Sequence, residues 1–469
     1  MRQSDIAQLA FTHSMNIVNR FDLAMQRIST ATQAPLRLAV AYSGGLDSEV
    51  LLHLCAGYAK QQQVFLVAFH VHHGLSPNAD DWVQHCQARC IELDLPFEVA
   101  HIQLGSTQDD GVEATARSKR YAALGELATR HQVDILLTAH HQDDQAETML
   151  LQLLRGSGVA GLCGMQQSHL APDLLGNDSL ILARPLLDCT REELQQLVRD
   201  NQLSHIDDES NLDTRYARNV LRLKIMPLLA QYFPGYQARF ARTAHHAQSN
   251  LALIEQLAQQ DFELCRVNPA IAHLDVARLQ TLPDARIDHV LRYWITLHHV
   301  QMPSTARLAE MRKQLLHARD DAQVCIRHGD IELHRYRQQL SISTLTREAP
   351  APQQFVWQGE ASIPFPAFGG VMHFDPVEPE QFGIKRSWLL AQQLEMRPRQ
   401  GGERLKLAPN RPTRDMKSHY QSLGIPYWQR ERLPFIFTGK ELLFAAGVGS
   451  HGKFLEQGED CIVLHWVEQ

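Results

Sequence analysis

Apolar positions fall into two rhythms over the first third of this chain. Short continuous apolar runs at residues 35–42, 63–71, 96–104 and 133–139 read as buried strands. Between them, helical periodicity opens at Val50 and runs over 78–93 and 112–130. Strand–helix alternation at this spacing predicts an α/β fold with a doubly wound parallel sheet, whose ligands sit beyond the carboxyl ends of the strands. A fifth strand is expected at 181–187, after a glycine-rich stretch of irregular backbone at 154–165. Residues 1 to about 30 read as a helical extension with no assigned role. From about 232 to 345 the pattern is mostly helical and polar, with amphipathic stretches at 237–260 and 306–317 and a small hairpin at 325–336. The Pro- and Gln-rich stretch 348–354 reads as a linker. Beyond it, short apolar runs alternate with Gly and Pro, as in a small β-rich domain. The expected partition is therefore 1–230, 231–348 and 355–469.

Composition narrows the class. The chain of 469 residues is 44% hydrophobic and 21% charged, with mean hydropathy −0.28, the profile of a globular protein of two to four domains. Its net charge of −7 argues against coating nucleic acid through bulk charge, so any such partner needs a local basic surface. Eight scattered cysteines include no Cys-x-x-Cys pair, and Cys86 and Cys90 share a helix face, which suits buried reduced thiols. No leader segment and no run long enough to span a bilayer is present, so a cytoplasmic location is expected.

The candidate chemistry falls at strand ends. After the first strand come Ser43, Gly44, Gly45, Leu46, Asp47 and Ser48. Glycines that bend the backbone, two hydroxyls and a helix N-terminus make a phosphate cradle. No lysine follows, so this is not the Walker loop; it looks like the loop of enzymes that split ATP into AMP and pyrophosphate. After the fourth strand, His140, His141, Asp143, Asp144 and Glu147 crowd one helix start. A helix cap needs a single acid; the excess suits Mg²⁺ and can supply a general base. Asp47 and Asp143 are candidate metal ligands and Asp144, Glu147 and His140 candidate catalytic groups beside Arg117, with the division between base and metal ligand among Asp143, Asp144 and Glu147 open at this point. Arg117 stands four residues after Glu113, either as a surface ion pair or as an arginine held toward a phosphate. Three neighbouring histidines, His70, His72 and His73, invite a zinc reading, but alternate strand residues point to opposite faces. Arg215, Arg218 and Arg222 share one helix face that either is solvated or meets phosphate. Residues 385–440 hold 12 Lys/Arg against 4 Asp/Glu, interleaved with Trp388, Tyr420, Tyr427 and Trp428, the footprint of RNA phosphate contacts with base stacking.

These blocks, in this order, resemble the bacterial tRNA(Ile)-lysidine synthetase family. The likeness is carried by 43–48, 70–75, 111–121, 139–148, 155–162, 184–186, 208–211, 218–222, 399–403 and 425–430. It implies ATP and Mg²⁺ as cofactors and two substrates, free L-lysine and the isoleucine tRNA with a CAU anticodon. ATP would adenylate the wobble cytidine, and lysine would then displace AMP. The change would switch the codon read from AUG to AUA and the identity from methionine to isoleucine. The resemblance further implies a helical middle domain and a β-rich C-terminal domain that hold tRNA, with Arg117 stabilising the adenylation transition state. Long members of the family are commonly dimeric. A tRNA thiolase with the same loop fits less well, for want of a catalytic cysteine set. A non-catalytic nucleotide- or RNA-binding module does not explain the convergent acids.

Overall fold

Alternate residues of each central strand enter different cores. Leu38, Val40, Leu66, Ala68, Ile135 and Leu137 belong to one buried cluster, and Ala39, Val67, Phe69 and Leu136 to the cluster on the opposite face. That division is what a sheet covered by helices on both sides requires. The computed structural model describes residues 16–30, 36–74, 76–103, 112–209, 213–268, 271–319, 324–344, 350–377, 381–408 and 411–468, the side chains of 112–114 and 271 excepted. The first fifteen residues, Gly111, the Glu113 side chain, Ser210 and Asn211 thus lie outside the described residues.

The chain divides into two compact units, Met1–Gln260 and Asp261–Gln469. The first unit runs α1 (Ile17–Ser29), β1 (Arg37–Ala41), α2 (Leu46–Gln62), β2 (Phe65–His72), α3 (Ala79–Glu92), β3 (Phe97–His101), α4 (Val112–Arg130), β4 (Ile135–Leu137), α5 (Gln142–Leu154), β5 (Ser168–Leu170), β6 (Ile181–Ala183) and α6 (Arg191–Asn201). The strand order is β3-β2-β1-β4-β6-β5, parallel except for β5, which runs antiparallel to β6 at the edge. This edge strand was not foreseen, and its three residues are too few to show a period. The strand at 181–187 is shorter than expected: it ends at Ala183, and Pro185 has no amide hydrogen with which to continue a ladder. The glycine-rich stretch holds a helical turn, Val159–Leu162.

Helix α1 does more than extend the chain. Its apolar face buries Phe21, Met25 and Ile28 in the core, and Arg20 pairs with Glu193 and donates to the Asp188 carbonyl. A long helix, α7 (Tyr236–Cys265), follows a helical stretch whose middle turn, Leu221–Ile225, is π-wound.

In the second unit, α8 (Asp284–Thr296) and α9 (Thr305–His317) accompany a five-stranded sheet of order β7-β8-β11-β10-β9. Its strands are β7 (Arg266–Asn268), β8 (Ile271–Asp275), β9 (Val324–His328), β10 (Ile331–Tyr336) and β11 (Gln339–Thr344). The helical middle segment thus carries a sheet larger than the expected hairpin. Two further five-stranded sheets make the β-rich C-terminal part. The end of the expected linker joins one of them as β12 (Gln353–Phe355), paired with Leu394–Met396. Tyr420 and Trp428 are buried, so two of the four aromatics expected to stack on bases serve packing instead. Among the described residues, no helix is long and apolar enough to cross a membrane.

Gly125, in the middle of α4, marks a close approach: a Cβ there would lie 1.8 Å from the Leu175 carbonyl oxygen. Helix propensity alone favours alanine by about 1 kcal/mol, but the collision with backbone reverses the sign. Gly125→Ala is expected to lower unfolding free energy by roughly 1–3 kcal/mol, read from urea denaturation; an unchanged midpoint contradicts the packing.

Candidate active site

The order of the strands creates one crevice. The chain leaves β1 toward β2 and β3 on one side, then returns to lay β4 on the other side of β1. At such a reversal the loops after the two central strands diverge and leave room for a ligand. Val40 pairs with Leu137, so the loop beginning at Ser43 and the segment beginning at His140 emerge side by side.

The first loop is held from behind. The Tyr42 amide donates to the Phe69 carbonyl at 2.8 Å, and the His70 Nδ1 lies 3.0 Å from the Tyr42 carbonyl oxygen. The Tyr42 hydroxyl donates to Glu49 Oε2 at 2.6 Å, and Arg89 Nε donates to Glu49 Oε1 at 2.7 Å. Burial and then the Glu49 carboxylate push the Tyr42 phenol pKa far up, so it stays a donor. Gly44 has φ +85°, and a Cβ there would lie 2.6 Å from Ile206 Cδ1 and 2.8 Å from Cys86 Sγ. The Ile206 amide donates to the Gly44 carbonyl at 2.9 Å, which clamps the turn. The Ser48 hydroxyl donates to the Gly45 carbonyl at 2.9 Å and lies 3.1 Å from the exposed Ser43 hydroxyl. Gly45 caps α2, so the amides of Leu46 and Asp47 lie in its first turn, where an anion is favoured.

His141 joins that loop to the acid-rich helix. Its Nε2 is 3.6 Å from Asp47 Oδ2 and 3.4 Å from Asp144 Oδ2, and its Nδ1 is 3.8 Å from Asp143 Oδ2. Burial opposes a charge on His141, yet Asp144, Asp47 and Asp143 outweigh it and raise its pKa. Its neighbour His140 goes the other way. Burial, only partly offset by Asp144 and reinforced by Arg184, Arg218 and Arg117, pushes its pKa down to about 3. Thr138 Oγ1 lies 3.0 Å from its Nδ1. The pKa values of two adjacent histidines thus move in opposite directions.

Asp144 and Glu147 interlock with two arginines. Glu147 accepts from Arg218 Nε at 2.8 Å and from Arg222 Nε at 2.7 Å. Asp144 Oδ1 accepts from Arg218 Nη2 at 3.0 Å and Arg222 Nη2 at 2.9 Å, and its Oδ2 accepts from the His141 amide at 3.1 Å. Burial alone would raise the Asp144 pKa; His141, Arg218, His140 and Arg222 instead hold it well below the usual carboxylate range. Asp143 accepts from the Arg191 amide at 2.8 Å and from Gln237 Nε2 at 3.1 Å. Asp47 Oδ1 is buried with no hydrogen-bond partner, an oxygen left over for a ligand.

Arg117 is exposed, with its guanidinium 5.1 Å from the centre of the Tyr121 ring; Arg120 lies 5.4 Å from the same ring. Buried Arg184 donates to the Gln166 carbonyl at 2.9 Å, while its Nε has no partner. Burial lowers the pKa of both Arg120 and Arg184, and Arg117 adds repulsion to each. Arginines gathered against mutual repulsion are the arrangement an anion relieves. Sequence spacing marked Arg117 and the Arg218/Arg222 stripe. It missed Arg120 and Arg184 as members of the site, although Arg184 ends a strand at this rim, and it gave no sign of the Tyr42–Glu49–Arg89 support.

The neutral burial of His140 has a pH consequence. Its folded pKa lies below the unfolded value of ~6.5, so its stabilising effect is complete above that pH and erodes as the unfolded chain takes up the proton below it. Between pH 7 and pH 5 this group is expected to cost roughly 1–2 kcal/mol. Urea denaturation at both pH values, wild type against His140→Asn, isolates the effect from the opposite one of His141; equal losses contradict it.

Three family models match the chain: a PP-loop domain over residues 17–229, a TilS substrate binding domain over 274–341 and a TilS substrate C-terminal domain over 394–466. The tRNA(Ile)-lysidine synthase of Ralstonia nicotianae is 38% identical over 423 residues, 88% of each chain. That of Coxiella burnetii is 36% identical over 421 residues, 90% of this chain and 91% of its own. That of Serratia proteamaculans is 39% identical over 434 residues, 92% of this chain and 95% of its own. With likeness of this degree along nearly the whole length, and a PP-loop domain over the segment that builds the crevice, the chain belongs to the tRNA(Ile)-lysidine synthase family.

Proposed function

We propose that this chain consumes ATP to join free L-lysine to the wobble cytidine of the isoleucine tRNA with a CAU anticodon, releasing pyrophosphate and then AMP. One observation carries the reading. His141 lies within 3.6 Å of Asp47 on the glycine loop and 3.4 Å of Asp144 on the acid-rich helix, so loop, acids and arginines serve one crevice. The names of the relatives support the choice of substrate.

In the first step the keto oxygen of cytosine attacks the α-phosphorus of ATP and the bond to pyrophosphate breaks. Ser43, Gly44, Gly45, Leu46 and Ser48, at the start of α2, hold the departing pyrophosphate through hydroxyl and amide donors. Arg117, with Arg120 and Arg184 behind it, faces the negative charge that builds at phosphorus. The unpartnered Asp47 Oδ1 fits a hard cation, and Mg²⁺ bound there would neutralise phosphate charge. Asp143 would be the second ligand, each of its oxygens also accepting one protein hydrogen bond.

In the second step the lysine side-chain nitrogen attacks the activated ring carbon, the bond to AMP breaks, and the ammonium must shed protons, since its free pKa is ~10.4. Both oxygens of Glu147 are taken up by arginines, and Asp144 is strongly acidic. We assign these two carboxylates to holding Arg218 and Arg222 and attracting the lysine ammonium. Neutral His140, tied at Nδ1 to Thr138, is left to accept a hydrogen bond from the amine and orient it; with its pKa held at about 3 it passes the proton on to solvent. The catalytic part would extend to about residue 230, with tRNA held by a middle part to about 348 and a C-terminal part from about 355. The extents of the three matched segments support that partition.

Incubating the protein with the unmodified transcript, labelled lysine and ATP, followed by nucleoside analysis, is expected to yield labelled lysidine together with AMP and pyrophosphate. Absence of labelled nucleoside with folded protein rejects the reading. Gly44→Ala is expected to abolish transcript-dependent ATP–pyrophosphate exchange, because the side chain collides with Ile206 and Cys86 in a left-handed backbone. His140→Gln is expected to slow lysine transfer by ~10²-fold or more while sparing exchange. Equal loss of both half-reactions would remove His140 from the second step.

A further inference from the structure

A second cluster of ligand-type side chains lies in the other unit, outside everything the proposed reaction uses. Strands β9 and β10 pair antiparallel with His334 directly opposite Cys325, and Glu332 stands two positions before His334. Residues directly opposite, and residues two apart, share one face of a sheet. One ligand atom from each of Cys325, Glu332 and His334 lies within 4.8 Å of the others, and among the described residues this is the one such group. A tetrahedral ion with bonds of roughly 2.0–2.3 Å fits a triangle of that size after small side-chain adjustments.

The ordinary alternative is a polar strand face with one ion pair, and Arg327 does donate to Glu332 Oε1 at 2.8 Å. That alternative leaves His334 unexplained. The His334 side chain is 1% exposed, its Nδ1 is buried with no hydrogen-bond partner, and its Nε2 is 3.6 Å from Glu332 Oε2, beyond hydrogen-bond length. Ser343 Oγ, at 2.9 Å from Nε2, is within hydrogen-bond distance of it. Cys325, by contrast, is exposed and lines a cleft of about 430 Å³ with Glu310, Gln314 and His317, which gives an ion a way in.

We propose that Cys325, Glu332 and His334 bind one Zn²⁺ ion, with solvent from the cleft in the fourth position. Thiolate with imidazole selects zinc over the hard cations Mg²⁺ and Ca²⁺. On binding, the thiol loses its proton to solvent and Glu332 turns from its contacts with the thiol and the histidine to the metal. The Trp428 ring stacks on His334 at 4.1 Å with 8° between planes, and Tyr427 meets the same imidazole edge-on. The ion would therefore stiffen the hairpin surface on which the Tyr427–Trp428 turn rests.

Full-length protein without a histidine tag, stripped of metal and titrated with Co²⁺, tests the proposal. We expect tetrahedral visible bands and a sulfur-to-cobalt charge-transfer band that saturate at one equivalent and disappear on adding Zn²⁺. The other seven cysteines are buried, so the charge-transfer band should be lost in Cys325→Ser. As a measurement that needs no variant, Zn²⁺ should protect Cys325 of the wild type from alkylation, read by peptide mass spectrometry. No charge-transfer band in the wild type, a band that survives in Cys325→Ser, or alkylation unchanged by Zn²⁺ overturns the site.

Discussion

The pairing of β1 with β4 is the constraint on which the crevice depends. The register of Val40 with Leu137 sets two chain segments about a hundred residues apart side by side at one rim of the sheet. Both strands are buried on both faces, so a shift in register would move apolar side chains into the wrong core. The same hydrophobic burial that stabilises the sheet therefore fixes where the glycine loop and the acid-rich helix meet. Neither segment could set that meeting alone: the loop brings amides and hydroxyls, and the helix start brings charge.

Within the crevice the charged groups are mutually dependent. Asp144 and Glu147 are nearly inaccessible to water, and buried carboxylates without partners would be costly. Arg218 and Arg222 supply those partners, and the acids in turn hold the guanidiniums in place. The cost of desolvating such a network is offset only while every member is present, which makes it rigid. Rigid, prearranged charge is what stabilises a transition state in which charge moves. The opposed behaviour of His140 and His141 follows from the same map. One ring faces three carboxylates, whereas the other is half-buried within reach of three arginines.

In the second unit, composition suggested one use for the aromatic residues and packing gave them another. Tyr420 lies in the core and donates to the Ala446 carbonyl at 3.2 Å, and Trp428 stacks on His334. The cations divide similarly. Arg430 is buried and donates to the Ile425 carbonyl at 2.7 Å, and Arg397 covers the Phe437 ring at 3.5 Å. Arg404, Arg411, Arg414 and Lys417 remain exposed, as do Lys385, Arg386, Arg432 and Lys440. A basic and aromatic composition thus overstates the surface available to RNA, because long cations and aromatic rings also serve as packing groups.

The sequence by itself determined the α/β class, the four parallel strands from β1 to β4 and the positions of the glycine loop and the acid cluster. Apolar period and the chemistry of Gly, Ser and Asp are local properties that survive in one dimension. It pointed to Arg218 and Arg222 by spacing but not to what they face. Only the tertiary structure decided that Glu147 and Asp144 are bound to those arginines, that Arg184 and Arg120 stand beside Arg117, and that Glu49 braces the loop through Tyr42. It also decided why position 125 has no side chain, since the Leu175 carbonyl occupies the space. The physical reason is common to all of these. Burial and charge pairing depend on which distant residues become neighbours, and that is set by strand order and register, which no local pattern records.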